Sequence, residues 1–182
     1  VDKMMRENPR CYQLIKKREK KVENESEMKE LYHTLEQTYK HIKIPLADES
    51  LFIAVLHELI PRNLAQAKLI QLKNETIAGK IFLLFEGKIH SWYAGWNREY
   101  SKYNPNEFGT WKMLQWGCIN NYKVFDFGGA GKPTERYGVR DYKMQFGGSL
   151  VNFGRYQSFI HPYYYKLSEL GFKIWRKFFS RS

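Results

Sequence analysis

An acidic side chain followed by two glycines ends a short apolar stretch of this chain, in a position where the sites of α/β proteins often gather. Asp126 precedes Gly128 and Gly129. A carboxylate here could orient an amine or act as a general base, or it could accept N–H bonds from the turn that follows. The glycines supply positive φ angles and allow close backbone approach to a ligand. The sequence therefore places candidate chemistry in residues 125–148.

Basic residues follow these glycines closely. Gly131 shares the segment with Lys132, Arg136 and Arg140. Backbone N–H groups and cationic side chains grouped in one loop can hold the phosphates of a donor. A merely flexible basic loop has the same composition, so the residue types leave both interpretations open.

Better-known site motifs are excluded. Residues 128–134 look like a nucleotide-binding P-loop, but that motif needs glycine in place of Asp126 and Ser or Thr in place of Pro133. A dinucleotide-binding pattern fails because no third glycine has the required spacing. The five histidines are scattered without metal-ligand spacing. Each is interpreted as an ordinary surface or core histidine, and no metal site is predicted.

The elements that must position this segment follow from hydrophobic periodicity. Apolar residues at helical spacing predict helices over residues 28–39 and 51–59, the second capped by Asp48 or Ser50. The period then changes, and short polar turns separate three predicted strands at 68–72, 77–85 and 89–95. This arrangement is typical of an antiparallel meander.

A strand–helix–strand connection follows the meander. The later elements are predicted as a helix over 106–120, a strand over 122–127, a helix over 137–146, strand pieces at 150–153 and 157–160, and a helix from Pro162. Parallel neighbours require such a crossover. We therefore expect a mixed α/β sheet with helices on both faces, in which the meander adjoins the 122–127 strand in parallel across a splayed gap.

Length and composition indicate one globular domain. The chain has 182 residues, 43% of them hydrophobic, which suits a single core. Residues 1–24 form a charged segment with one short strand expected at 21–23, interpreted as the remnant of a longer chain, and 25–182 form the domain. Two distant cysteines and the lack of any run of about 18 apolar residues favour a reducing, cytoplasmic setting.

The net charge is strongly positive. The chain carries 30 Lys and Arg against 19 Asp and Glu, a formal charge of +11. This balance favours phosphate-bearing cofactors, RNA or an acidic membrane surface as partners, although solubility alone also explains it. The C-terminal helix is basic on one face, and its other face, with Leu167, Leu170, Ile174 and Phe178, is expected to pack on the core.

Two motifs bracket the candidate segment. The first is Phe125-Asp126-Phe127-Gly128-Gly129, and the second is Tyr142-Lys143-Met144-Gln145-Phe146-Gly147. Together they resemble motifs of the FemAB/FemX-type aminoacyltransferases, which form peptidoglycan bridges and belong to the GNAT acyltransferase superfamily. The preceding helix, with Trp111 and Trp116, fits the same family. The resemblance covers about residues 28–160 and implies a GNAT-like fold, matching the C-terminal GNAT-like domain of those enzymes.

The resemblance implies transfer of an aminoacyl or N-acyl group to an amine, with aminoacyl-tRNA as donor and a cell-wall precursor or another amine as acceptor. It matches Lys143 and Tyr142 to family positions that handle the donor, and we assign catalysis to these two and Asp126. A lysine on a short helix can stabilise the oxyanion that forms during acyl transfer. Donor binding is assigned to Gly128, Gly129, Lys132, Arg136, Arg140 and Phe146.

The sequence departs from the family pattern in two respects. Ordinary GNAT acetyltransferases hold the coenzyme A pyrophosphate on a glycine-rich loop at a helix N-terminus, but residues 101–109 contain one glycine. No cofactor is therefore predicted, and coenzyme A is disfavoured. Fem enzymes also contain two such domains, so a second GNAT-like domain is expected N-terminal to Val1 or in a partner chain.

Two other functions remain open. One keeps the amide chemistry but takes its acyl group from an acyl-CoA or carrier-protein thioester, in polysaccharide modification. The other is a catalytically silent GNAT-like module that binds RNA or an acidic membrane surface through the C-terminal helix. Peripheral membrane contact is compatible with an enzyme as well.

Overall fold

A computed structural model of the chain describes residues 17–131, 134–152, 154 and 157–179. Within them, five strands form one sheet in the order β1 to β5: β1 Lys17–Lys21, β2 Ala65–Leu72, β3 Glu75–Phe85, β4 Lys88–Trp96 and β5 Val124–Asp126. The first four strands pair antiparallel, and β5 pairs with β4 in parallel. The predicted mixed sheet, with its meander and parallel fifth strand, is confirmed.

Tight turns join the antiparallel strands. Lys73 and Asn74 link β2 to β3, and Glu86 and Gly87 link β3 to β4, all four with positive φ. Two-residue turns of this kind match the right-handed twist of the strands they connect. The turns therefore lie within one residue of their predicted positions, with Glu75 and Lys88 belonging to the strands, and the three strands begin one to three residues before their predicted starts.

Five α-helices accompany the sheet in the described part of the chain. They are α1 Glu25–Ile42, α2 Glu49–Ala54, α3 Pro105–Ile119, α4 Gly138–Met144 and α5 Pro162–Phe179. A π-helix, Val55–Leu59, continues α2, and a 3-10 helix, Arg98–Tyr103, precedes α3. Asp48 caps α2 by accepting the N–H of Ser50 at 3.0 Å. None of these helices is both long and apolar enough to cross a membrane.

Helix α1 covers one face of the sheet at close range. Its residues Met28, Leu31 and Leu35 are fully buried. A Cβ at Gly95 would lie 2.7 Å from the carbonyl oxygen of Thr34, and one at Gly79 would lie 2.8 Å from Leu31 Cγ. Glycine in β3 and β4 is therefore what lets α1 pack directly on the strand backbones.

Helix α3 covers the opposite face and makes the crossover from β4 to β5. Met113 of this helix packs with Phe82 and Ile89 of the strands. Gly109 lies so close to β2 and β3 that its Cβ would be 2.9 Å from Ile70 Cδ1 and 3.0 Å from Lys80 Cδ. The crossover helix therefore sits directly above Lys80.

The charged N-terminal segment contributes a strand earlier than expected. β1 occupies Lys17–Lys21 rather than 21–23 and pairs antiparallel with β2. Val22, just after it, is buried in the core. A charged strand suits the edge of a sheet because charges discourage pairing with another chain. Residues 17–24 therefore belong to the same folded unit as α1.

The C-terminal part differs from the prediction. Residues 150–152 and 157–160 form no strand, and Phe153 lies outside the described residues. Leu167, Leu170 and Ile174 of α5 were expected to pack on the core, but they are 65%, 55% and 50% exposed. Strand propensity is realised only where a partner strand is available. Helices α1 and α3 already cover the two faces of the sheet, which leaves α5 no core position.

Candidate active site

The sheet opens between β4 and β5. β5 pairs with β4 only from Val124, opposite Lys88, to Asp126, opposite His90. β4 itself continues to Trp96. The two parallel strands therefore separate directly after His90 and Asp126, and the expected gap between them is present.

A cavity of about 550 Å³ lies at this opening, lined by β4, the first turns of α3 and helix α4. Tyr39 and Trp92 in its lining pack with the core under α1. Lys80 and Thr110, also in the lining, lie on the α3 side. The cavity thus passes the open edge of the sheet and is reached by side chains from both faces.

A histidine and an aspartate stand where the strands part. His90 Nδ1 lies 3.0 Å from Asp126 Oδ2. Because an ionised carboxylate can only accept, Nδ1 is the donor and Nε2 remains as the acceptor of a neutral ring. The second oxygen, Asp126 Oδ1, accepts the N–H of Gly128 at 2.7 Å. Asp126 thus accepts an N–H bond from the following turn through Oδ1, which is one of the two roles that the sequence left open for it.

The charge of Asp126 is stabilised by its neighbours. Partial burial opposes ionisation, but the Gly128 N–H, His90 and the charge of Lys143 together hold the pKa of Asp126 below its usual range. The carboxylate is therefore charged at neutral pH. It fixes the His90 ring and attracts cations to the opening.

Lys143 projects from α4 to the mouth of the cavity. Its Nζ donates to the Gly129 carbonyl at 2.6 Å. Partial burial lowers the pKa of Lys143, an effect that the nearby Asp126 carboxylate opposes. Gly128 has φ +71°, and a Cβ there would lie 3.5 Å from His90 Cε1. The glycine turn therefore brings Lys143 and His90 to the same opening.

Tyr142 holds α4 against α3. Its hydroxyl lies 2.9 Å from Thr110 Oγ1, and Thr110 in turn donates to the Asn106 carbonyl at 3.0 Å. Burial around the hydroxyl raises the pKa of Tyr142, so the phenol keeps its proton. In this arrangement Tyr142 positions its neighbours.

Lys80 joins the same network from the sheet. This β3 lysine is 2% exposed, and its Nζ donates to Thr110 Oγ1 at 2.5 Å. Burial lowers the pKa of Lys80 to about 7, although the charge of Glu107 on α3 opposes this. A buried amine that titrates near neutral pH, in the lining of a cavity, is typical of a functional site.

The remaining predicted donor-binding residues are less closely grouped. Arg140 donates to the carbonyls of Ala130 at 3.0 Å and Glu135 at 3.1 Å, which closes the loop between them. Phe146 packs against Phe127 and Tyr142. Arg136 is exposed and outside the cavity lining, and Lys132 lies outside the described residues.

Sequence reasoning missed His90, Lys80 and Thr110. His90 was interpreted as an ordinary histidine, and no spacing rule connects it with Asp126, 36 residues away. Lys80 did carry a signal, because a lysine interrupts the apolar run of β3 between buried Gly79 and Ile81. Among the described residues, no group of His, Cys, Asp and Glu could hold a metal ion.

Comparison with known proteins places this arrangement in a family. Residues 8–144 match the model of the acetyltransferase (GNAT) domain, which is most of the chain. The chain belongs to the GNAT acetyltransferase domain family. This GNAT domain is therefore an acyltransferase domain, which confirms the acyl transfer predicted from the sequence. A search of curated proteins found no sequence match.

Solved structures share the fold of this GNAT domain at low sequence identity. FemX has a TM-score of 0.65 and 13% identity, over 77% of this chain and 52% of its own. A possible acetyltransferase from Clostridium difficile 630 has a TM-score of 0.62 and 8% identity, over 79% and 97%. Aminoglycoside N-acetyltransferase AAC(6')-Iy, in complex with CoA, has a TM-score of 0.57 and 10% identity, over 79% and 97%. The GNAT domain thus spans about half of FemX.

Proposed function

We propose that this GNAT domain transfers an acyl group from an ester or thioester donor to a primary amine and so forms an amide. The observation that carries the proposal is the opening between β4 and β5. The His90–Asp126 pair stands where the two strands part, and the next residues along these strands, Ser91 and Phe127, line the cavity together with Lys80 and Lys143. Amide formation needs a base for the amine, a positive charge for the oxyanion and a fixed meeting place for the two reactants.

The His90–Asp126 pair suits the amine acceptor. Ile89 packs under α3, so the alternation of side chains in β4 directs His90 to the α1 side. A primary amine arrives largely as an ammonium ion, which the Asp126 carboxylate attracts. The ammonium ion first releases one proton to solvent, which frees the lone pair of the nitrogen. His90 Nε2 can then take the second proton, which the nitrogen loses as it attacks. We infer that the acceptor enters from the α1 side.

The lysines suit the acyl donor. Lys80 and Lys143 both lie on the side of α3 and α4 and repel an ammonium ion, but they favour a carbonyl oxygen that becomes negative. Lys143, at the mouth, is positioned to stabilise the oxyanion. Tyr142 holds Thr110 and Lys80 in place, and the glycine turn leaves room for the reacting groups. The two reactants thus meet at the open edge of the sheet.

The start of α3 fits the pyrophosphate of coenzyme A poorly. Pro105 has no N–H, the Phe108 N–H already bonds to the Asn104 carbonyl at 3.0 Å, and the Glu107 carboxylate lines the cavity. An anion gains little from such a helix terminus. Gly109, the single glycine, is needed for packing on Lys80 and Ile70.

We therefore propose an aminoacyl ester of RNA as the donor, in line with the Fem-type motifs and the net charge of +11. A cell-wall precursor is the corresponding acceptor, and a second GNAT-like domain would complete its site. Calorimetry is expected to show weak or no coenzyme A binding, whereas aminoacylated tRNA binds with strong salt dependence. Tight, salt-independent binding of acetyl-CoA would favour the thioester donor instead.

The acceptor role of His90 can be tested by removal and chemical rescue. His90→Ala is expected to lower single-turnover amide formation about 10²-fold, at the low end for a general base because water reaches this partly exposed ring. Added imidazole should restore part of the rate. His33→Ala, an exposed α1 histidine outside the cavity, is the matched control. Loss without rescue, together with an unchanged melting temperature, would contradict the base assignment.

A membrane-binding function is favoured by one specific observation. Leu170 and Ile174 of α5 are exposed, and Lys166 and Lys173 lie beside Leu170 on the helix surface, four and three residues away from it. Residues 155–182 carry six basic residues and one acid. An exposed amphipathic helix whose aromatic and aliphatic residues are flanked by lysines suits the surface of an anionic bilayer. We propose that α5 docks the domain peripherally on such a surface.

Vesicle sedimentation tests this docking. The protein should bind vesicles with about 30% phosphatidylserine better than neutral phosphatidylcholine vesicles, and Ile174→Glu should weaken binding about tenfold. Ile119→Glu introduces the same charge at another exposed site, 80% accessible at the end of α3, and should leave binding unchanged. Equal binding of both variants, or binding of RNA without vesicles, would argue against membrane docking.

A further inference from the structure

Lys80 differs from the other fully buried lysine of the sheet. Lys68 and Lys80 lie opposite each other in the β2–β3 ladder, and each is 2% exposed. Lys68 forms an ion pair with Glu19. Within the described ranges, no carboxylate lies at ion-pair distance from Lys80, whose partner is the neutral Thr110 hydroxyl. Of these two lysines, Lys68 thus has its charge balanced by a paired carboxylate, and Lys80 does not.

A buried ammonium without a carboxylate is costly, because desolvation is not repaid by a close countercharge. Lys80 instead ends in the lining of the cavity. The charged and titratable groups facing it are Glu107 on α3, Lys143 and Tyr142 on α4, and Lys68 on β2. Glu107 favours the ammonium form and Lys143 disfavours it. The amine can therefore exchange its proton near neutral pH at little cost in free energy.

We propose that Lys80 is the general acid of the acyl transfer and protonates the group that leaves the donor. This role rests on the proposed function and names the residue that acts on the leaving group of the acyl donor. Thr110 Oγ1, held by Tyr142 and the Asn106 carbonyl, fixes the lysine Nζ in the cavity wall. The position is on the opposite side of the sheet from His90, so proton removal and proton delivery occur at different ends of the reacting groups.

The proton and electron balance of the step is simple. The amine nitrogen attacks the carbonyl carbon, the C=O π pair moves to oxygen beside Lys143, and the amine proton passes to His90 Nε2. The carbonyl then re-forms as the bond from carbon to the leaving oxygen or sulfur breaks, and that atom takes a proton from Lys80 Nζ. Lys80 becomes neutral and His90 cationic, and solvent returns one proton between them.

Other groups at the cavity are less suited to this role. The Lys143 ammonium lies at the mouth and donates to the Gly129 carbonyl. Tyr142 is directed to Thr110, and its raised pKa makes it a weak acid. Glu107 is a carboxylate and would first have to be protonated. Lys80 alone among these combines a position in the wall with a proton that it releases near neutral pH.

The leaving group of the donor provides the test. One alanyl group is offered as the 3′-ester of adenosine and as the p-nitrophenyl ester, with methylamine as acceptor, and single-turnover amide formation is corrected for the uncatalysed reaction. Lys80→Met should lower the rate from the adenosyl ester about 10²- to 10⁴-fold. With nitrophenoxide, which leaves without a proton, the loss should be no more than about fivefold.

Two further variants complete the design. Lys112→Met, the same substitution on α3 outside the cavity lining, should match the parent with both donors. Thr110→Val keeps the lysine but releases its head, and should reproduce the preference for the nitrophenyl ester on a smaller scale. Equal losses with both donors in Lys80→Met and Thr110→Val would overturn the general-acid role alone. A parent protein that forms amide from neither donor would overturn the proposed function and this role together.

Discussion

Replacing Lys143 by methionine is expected to lower the rate of amide formation about 10²- to 10³-fold, the cost of removing one oxyanion donor in other enzymes. Methionine keeps most of the volume of the stem and removes the charge. Among the residues that the structure describes, the substitution removes one hydrogen bond, from Lys143 Nζ to the Gly129 carbonyl at 2.6 Å, and this bond is exposed. Folding should therefore survive, and the loss should fall on turnover.

The matched control is Lys123→Met, in the exposed turn before β5 and outside the cavity lining. Single-turnover amide formation and the melting temperature are measured for both variants. Lys132→Met, next to Gly131 in the sequence, is expected to change donor affinity and its salt dependence more than turnover. If Lys143→Met formed amide at nearly the parent rate, Lys143 would not stabilise the oxyanion and would be an ordinary surface lysine. Equal losses in Lys143→Met and Lys132→Met would indicate a diffuse positive field.

The sheet was predictable because local rules and burial agree along most of it. Asn74 and Gly87 mark two-residue turns, and the apolar runs on either side have only one register that buries them. The parallel fifth strand followed from the length of the crossover helix. The edge strand β1 was misplaced, since five charged residues carry no hydrophobic pattern, and their pairing with β2 becomes visible only in the folded sheet.

The candidate site was predictable only in the part that is local in sequence. Asp126, the glycines and Lys143 lie within 18 residues and form a recognisable motif. His90 comes from another strand, and its role depends on the point at which β4 and β5 separate. The exposure of α5 also depends on the tertiary arrangement and was not predictable. The sequence of an apolar helix face does not specify whether that face contacts protein, membrane or water.

Lys80→Met is expected to stabilise the protein below pH 7 by about 2–4 kcal/mol. The pKa of Lys80 falls from 10.5 to about 7 on burial, which corresponds to about 5 kcal/mol at about 1.4 kcal/mol per pKa unit. Methionine avoids this cost but leaves the Thr110 hydroxyl without its partner, at about 1 kcal/mol or more. A residue that destabilises the fold while lining a cavity is what a catalytic role predicts.

The gain in unfolding free energy of Lys80→Met over the parent should depend on pH in a definite direction. Below about pH 7 both the folded and the unfolded parent carry the Lys80 proton, so the folded state bears the full cost of a buried ammonium. Between pH 7 and 10.5 the unfolded chain keeps the proton and the folded protein releases it, so parent stability rises with pH relative to the variant. The advantage of Lys80→Met should therefore shrink steadily toward pH 10, as urea unfolding at several pH values would measure.

Lys68→Met is the control. It leaves the Glu19 carboxylate without its partner and should instead destabilise the protein at neutral pH. A Lys80→Met variant no more stable than the parent at pH 6, with no change in the difference at higher pH, would show that the Lys80 ammonium is well solvated in the folded protein and has no reason to release its proton near pH 7.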